Sequence, residues 1–223
     1  MEVRRYSRRH AIVQTIPTIA SLTALSLFSS GAALAEPTVA AALAKRLLES
    51  PSPLGDRSIG NPEAPVVMIE YASATCPHCA EFHVKVLPEI KRDFVETGKL
   101  RFIFREFPLD QTAYAVFVLA RCLPEEKFFP AIDQIFETQA VWAKSQPREN
   151  ILKLMNGLGM DAAAFEACLQ RKDIAQAIAD SAKKASADFN IKGTPAIFVN
   201  GTAVDGHKEY AEIKVAIEAA LKK

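Results

Sequence analysis

Val66-Val67-Met68-Ile69-Glu70-Tyr71-Ala72-Ser73-Ala74-Thr75-Cys76-Pro77-His78-Cys79 joins a strand pattern to the first turn of a helix. Val66 to Ala72 is apolar on both alternating faces except at Glu70, the pattern of a strand covered on both sides at the centre of a sheet. Beyond it, Phe82, Val86, Ile90 and Phe94 recur at i+4 with Leu87 beside them. That spacing predicts a helix from Cys79 to Thr97, ended by Gly98 and kinked at Pro88, which cannot donate to the carbonyl of Val84. The C-x-x-C pair therefore falls at a strand-to-helix turn. The free N–H groups of a helix start favour negative charge, so the first sulfur can move from the ordinary thiol value of about 8.5 into the range of roughly 3.5 to 7.5. A protonated His78 between the sulfurs would further favour Cys76 as the anion. Because the thiolate is the reactive species, the arrangement points to thiol chemistry at neutral pH.

Leu100 to Phe107 reads as a second strand. From Pro108 the pattern turns helical over about residues 108–188, with breaks near Pro124, Ser145-Gln146-Pro147 and Gly157-Leu158-Gly159. Strand character returns at Ala196 to Val199, followed by the turn Asn200-Gly201, a short return strand through Val204, and a final helix from about Glu209 to Leu221. Asn200-Gly201-Thr202 also fits a glycosylation sequon, but Asn-Gly between two strand-like runs is accounted for as a tight hairpin turn. Upstream, Thr38 to Glu49 reads as a short amphipathic helix and Ser50-Pro51-Ser52-Pro53 as a stiff linker, so residues 36–54 precede a main domain over 55–223. No repeat or low-complexity tract interrupts it.

At the N-terminus, Arg4, Arg5, Arg8 and Arg9 precede a mainly apolar stretch from Ala11 to Phe28, and Ala33-Leu34-Ala35 is a small-x-small cleavage site. Residues 1–35 are expected to be a cleaved signal peptide. Gln14, Thr15, Pro17, Thr18, Ser21, Thr23 and Ser26 make the segment too polar for a retained membrane anchor. Ser7-Arg8-Arg9 resembles a twin-arginine signal, but His10-Ala11-Ile12 lacks the aromatic and apolar residues that follow one, so the Sec and twin-arginine routes both stay open. The 188 residues from Glu36 suffice for one domain with a sizeable core, and they carry 23 basic and 25 acidic side chains. Such a balance offers no electrostatic case for a nucleic-acid partner. Cys76, Cys79, Cys122 and Cys168 all lie beyond the cleavage point, and export would place them where disulfides persist.

Cys76-Pro77-His78-Cys79, Gly60-Asn61-Pro62-Glu63-Ala64-Pro65-Val66 leading into the first strand, and Gly193-Thr194-Pro195 about 115 residues after the cysteines together make the chain resemble the DsbA branch of the thioredoxin superfamily. The resemblance covers nearly all of 55–223. It implies an α/β thioredoxin-like fold with an inserted α-helical domain, and a periplasmic thiol-disulfide oxidoreductase that donates its Cys76–Cys79 disulfide to exported proteins. It also implies a DsbB-like membrane partner that passes electrons to quinone. No cofactor is called for. Residues 36–54 offer only one helix and a linker, not the dimerisation domain usual in isomerase relatives, so a monomer is expected.

Within that frame Cys76, at the helix start, is expected to attack or be attacked, and Cys79, one turn inside, to resolve the mixed disulfide. Pro77 and His78 between them read as an oxidase tuning. Glu70 matches the superfamily's buried acid and would relay a proton to or from Cys79, unless it merely reaches solvent at the strand end. A cis Thr194–Pro195 bond would expose the backbone of Thr194 beside the cysteines, ready to pair with an extended substrate. Threonine at this position departs from the valine of enterobacterial relatives and also occurs in isomerase-type relatives. Cys122 and Cys168 lie on two predicted helices of the insertion and are expected to form a structural disulfide, as some alphaproteobacterial relatives have a second bridge there. Two alternatives remain: an isomerase or reductase of the same superfamily, and a metal-handling module built on Cys76-x-x-Cys79-x-x-x-His83. The latter lacks a second cysteine or histidine cluster for a fourth ligand, so no metal is expected, and His83 is read as structural or solvent-facing.

Overall fold

Around β2 (Val66–Ala72) the chain builds a five-stranded mixed sheet, which the computed structural model describes over residues 39–144, 146–204 and 209–222. The expected signal peptide lies outside the described residues. In chain order, helix α1 (Val39–Leu48) and strand β1 (Arg57–Ile59) precede β2. Helices α2 (Pro77–Glu81) and α3 (Leu87–Ile90) follow, and then β3 (Leu100–Glu106). The helical insertion contains α4 (Gln111–Cys122), α5 (Phe128–Glu137), α6 (Gln139–Trp142), α7 (Pro147–Gly157), α8 (Ala162–Leu169) and α9 (Lys172–Phe189). Strands β4 (Ala196–Val199) and β5 (Thr202–Val204) and helix α10 (Tyr210–Ala220) complete the order.

The strands lie in the order β1-β3-β2-β4-β5, so β2 is central. It runs parallel to β3, with Glu70 opposite Phe104, and antiparallel to β4, with Glu70 opposite Ile197. Its two faces enter two different cores, which is why it carries no polar alternation. Met68 and Ala72 join Phe102, Phe104 and the insertion. Ile69 and Tyr71 join Ile103, Phe107, Leu47 of α1 and Ala185 and Phe189 of α9.

Pro88 does not end the helix after the cysteines. A π-helical turn at Phe82–Val86 precedes α3, in whose first turn Pro88 sits, and a second π-helical turn, Lys91–Val95, follows. The extra residue in a wide turn accommodates a position that has no N–H to give. Gly98, at φ +73°, closes the segment, with the Lys99 N–H returning to the Phe94 carbonyl at 2.9 Å. The hairpin turn likewise uses Asn200 (φ 45°) and Gly201 (φ 78°), the two left-handed residues that such a turn demands.

Three features differ from the sequence reading. β1, pairing antiparallel with β3, is a three-residue half-exposed strand with no periodic signal. α1 is packed against the sheet, with Leu47 1% exposed and its carbonyl accepting from Arg105 Nη1 at 3.1 Å. α9 is not wholly part of the insertion: Ile174 and Ile178 face the insertion core, whereas Ala182, Ala185 and Phe189 cover the opposite face of the sheet.

Candidate active site

Cys76 is the N-cap of α2, with extended backbone (φ −77°, ψ 119°), and Pro77 opens the helix, where its missing N–H costs no hydrogen bond. The Cys76 carbonyl accepts the first helical bond from the Ala80 N–H at 3.2 Å. The insertion holds this turn from the other side. Gln139 of α6 donates from Nε2 to the carbonyls of Ala74 (2.8 Å) and Cys76 (2.9 Å). Asp110 caps α4 by accepting from the Ala113 N–H at 2.9 Å and also accepts from the Thr75 hydroxyl at 2.6 Å. Neither Gln139 nor Asp110 was singled out from the sequence. Asp110 before an apolar periodic run carries an N-cap signal, whereas Gln139 has no local signature.

Cys76 and Cys79 are free thiols, 6% and 0% exposed. The first is thus less open than a helix-start position suggests, while the second is fully shielded. Their acidities diverge. A hydrogen bond from the Cys79 side chain, helped by Thr194 and by the main-chain N–H groups of Cys79 and His78, overcomes burial and lowers Cys76 to about 5. Burial pushes Cys79 in the opposite direction, and its bond to Cys76 and the negative charge of Glu70 push it further up. His78 contributes to Cys76 through its main-chain N–H, and its side chain is exposed.

The Thr194–Pro195 bond is cis, and the Cys76 thiol donates to the Thr194 carbonyl at 3.2 Å. Thr194 Oγ1 is buried with no hydrogen-bond partner among the described residues, which leaves it free to serve the Cys76 anion. Glu70 does not reach solvent. It is fully buried, and its Oε2 lies 2.8 Å from Nε2 of His83, itself buried in the π-helical turn that follows α2. His83 is therefore structural in placement, buried and paired with a carboxylate, not turned to solvent. A usable sequence signal existed, because His83 is four residues past Cys79 and so on its face of the helix. Among the described residues no group of three or more His, Cys, Asp or Glu side chains is arranged to hold a metal ion.

Away from this cluster, Cys122 at the end of α4 and Cys168 of α8 are joined in a disulfide, with Cα atoms 6.2 Å apart. The arrangement as a whole offers one acidic thiol at the surface edge, a second thiol held protonated behind it, a buried acid below and a backbone acceptor alongside. This constellation can form and break a disulfide.

Comparison with known proteins agrees with that chemistry. Residues 53–219 match the family model described as Thioredoxin. The crystal structure of Wolbachia pipientis alpha-DsbA1 superposes with a TM-score of 0.70 at 30% identity, covering 79% of this chain and 96% of that one. A Rickettsia felis protein named for protein-disulfide oxidoreductase activity is 30% identical over 168 residues, 74% of this chain. The chain spans only 60% of the length of that relative. Disulfide bond formation protein D of Bacillus subtilis is 27% identical over 180 residues, 77% of this chain and 80% of its own length.

Proposed function

Since the chain belongs to the thioredoxin superfamily, in its DsbA-like branch, we propose that it is a periplasmic thiol-disulfide oxidoreductase that donates the Cys76–Cys79 disulfide to exported proteins as they fold. The observation that carries this reading is the unequal setting of the two thiols: Cys76 caps α2 and bonds the Thr194 carbonyl, whereas Cys79 is fully buried behind it, so Cys76 is lowered to about 5 and Cys79 raised. A thiolate held that readily stabilises the reduced enzyme, so the oxidised enzyme gives its disulfide away. Each 1.4 kcal/mol of such preference is worth about 30 mV.

In the reaction a substrate thiolate attacks Cys76 Sγ. The Cys76–Cys79 bond breaks, and its electron pair leaves on Cys79 Sγ, which takes up a proton. The substrate's second thiolate then attacks the substrate sulfur of the mixed disulfide, and Cys76 departs as a stable thiolate. Two substrate thiols have become a disulfide and two electrons remain on the enzyme, to be removed by a membrane partner that delivers them to quinone. Substrate backbone pairs beside Thr194 by strand addition, a mode that reads main chain and suits many unfolded sequences. Leu109 and Val141, 53% and 65% exposed, extend from the segments that hold the active-site turn and supply apolar surface for such chains. The enzyme acts as a monomer.

Equilibration of the purified protein with glutathione buffers tests the reading. A potential well above that of reducing thioredoxins is expected, and one in their range would favour the isomerase or reductase alternative. In oxidation of a reduced two-cysteine peptide, Cys76→Ser abolishes disulfide donation and Cys79→Ser accumulates mixed disulfides; full turnover by Cys79→Ser would refute the division of roles.

A further inference from the structure

Glu70 and His83 share one hydrogen bond and each keeps a second polar atom, Glu70 Oε1 and His83 Nδ1, buried and without a partner among the described residues. Unsatisfied buried polar atoms are costly and call for a reason. The imidazole lies in an aromatic cage, 4.1 Å between centroids from Phe136 of α5 and within 6.5 Å of Phe82 and of Phe102 and Phe104 of β3. No water-facing side is left to it. The other charged groups on this side of the sheet are engaged elsewhere: Glu106 of β3 is paired with Arg121 of α4, Asp133 of α5 is paired with Lys91 at 2.9 Å, and Glu137 is exposed. α10 turns Ile213 and Ile217 inward. Of the two thiols at the start of α2, Cys79 is the one that feels the charge of Glu70.

Building on the oxidoreductase reading above, we propose that His83 is a positioning residue that occupies Glu70 Oε2 and so reserves Oε1 as the atom that exchanges a proton with Cys79. Nε2 carries the hydrogen and donates to Oε2 in every state. When the enzyme disulfide is opened, Glu70 Oε1–H gives its proton to the departing Cys79 sulfur, and the products are a Cys79 thiol and a Glu70 carboxylate still bonded to His83. On reoxidation Oε1 takes the proton back as Cys79 attacks the mixed disulfide at Cys76. The imidazole neither gains nor loses a proton, so its bare Nδ1 needs no partner in the apolar cage. Without the Nε2 donor the buried carboxyl group loses the one hydrogen bond it has among the described residues, and Oε1 is no longer held in place for Cys79.

The test is the pH profile, between pH 5 and 8, of disulfide transfer to a reduced two-cysteine peptide and of reoxidation by oxidised glutathione. It compares wild type, His83→Phe and His83→Gln, with iodoacetamide alkylation of Cys76 and thermal melting followed in parallel. His83→Phe should slow reoxidation by about tenfold or more and displace its profile, with Cys76 alkylation unchanged within about twofold. His83→Gln, whose amide can still donate to Oε2, should recover most of that loss. An unchanged profile in His83→Phe overturns the proposal, as does a His83→Gln protein as slow as His83→Phe. If His83→Phe does not fold, the glutamine variant decides alone: a wild-type-like profile supports a non-titrating donor, and a displaced one refutes it. Should wild type itself transfer no disulfide to the peptide, the oxidoreductase reading fails instead, so the two failures are distinguishable.

Discussion

At the scale of single residues the decisive contrast is between two cysteines three positions apart. Cys76 sits at a helix start, where the Cys79 side chain and main-chain N–H groups lower it to about 5, while Cys79 is buried against a carboxylate and raised. The rate of Cys76 alkylation by iodoacetamide should accordingly rise through a midpoint near pH 5. A midpoint near the free-thiol value of about 8.5 would remove the proposed driving force. The same shift is linked to stability. In the reduced protein the unfolded chain binds one more proton than the native state between about pH 5 and the ordinary thiol pKa, so stability rises with pH across that window and is lost as pH falls through 5. At pH 7 the gain is on the order of 2 kcal/mol, allowing for screening by water at the open edge of the sulfur. It should be present in urea unfolding of the reduced protein and absent from the oxidised one.

Elements determine how firmly that turn is held. α2 continues through a π-helical turn that carries His83 over β2, and α6 reaches back so that Gln139 binds two carbonyls of the β2–α2 connection. Gln139→Ala leaves the Ala74 carbonyl without this donor, whereas the Cys76 carbonyl keeps its helical bond from Ala80. A loss of about 1 to 3 kcal/mol in denaturant unfolding is expected. Disulfide transfer should also slow, because the Cys76 main chain is less restrained. Unaltered stability and rate together would show that α6 merely abuts the site. The strand β2, the helix start at Cys76, the Asn200-Gly201 hairpin and the last helix were all legible in local sequence, since each rests on period or turn chemistry within a few residues. β1 was not, because three half-exposed residues carry no period.

Over the whole molecule the insertion and the sheet domain share one continuous core, in which Phe104 of β3 packs against Phe117, Phe128 and Phe136 of the insertion. Cys122–Cys168 closes a loop of 46 residues within that insertion. On the chain-entropy account such a loop contributes at most about 4 kcal/mol. The double variant Cys122→Ser/Cys168→Ser should therefore unfold at lower guanidinium concentration by up to that amount, while Cys76 alkylation at pH 7 stays at the wild-type rate. A change in Cys76 reactivity without a change in stability would assign the bridge a regulatory part in place of a structural one. Buried ion pairs complete the assembly. Arg105 binds Asp56 and the Leu47 carbonyl beneath the sheet, and Arg121 binds Glu106 and the Gly55 carbonyl above it, so the segment before β1 is tied to both faces. That is why α1 and the linker after it, which read as a helix and a linker ahead of the main domain, are packed as part of the fold.

The sequence by itself determined the central strand, the placement of Cys76 and Cys79 across a strand-to-helix turn, the Asn200-Gly201 hairpin and the segment around Thr194 that accompanies the cysteines, because each is written in residues close together along the chain. Only the tertiary structure decided that His83 pairs with Glu70 thirteen residues away, that Gln139 holds Cys76 from sixty-three, and that the Thr194 carbonyl meets the Cys76 sulfur across one hundred and eighteen. Periodicity specifies which face of an element is buried. Which side chains meet there depends on strand order and register, and those emerge only when the sheet closes between its two cores.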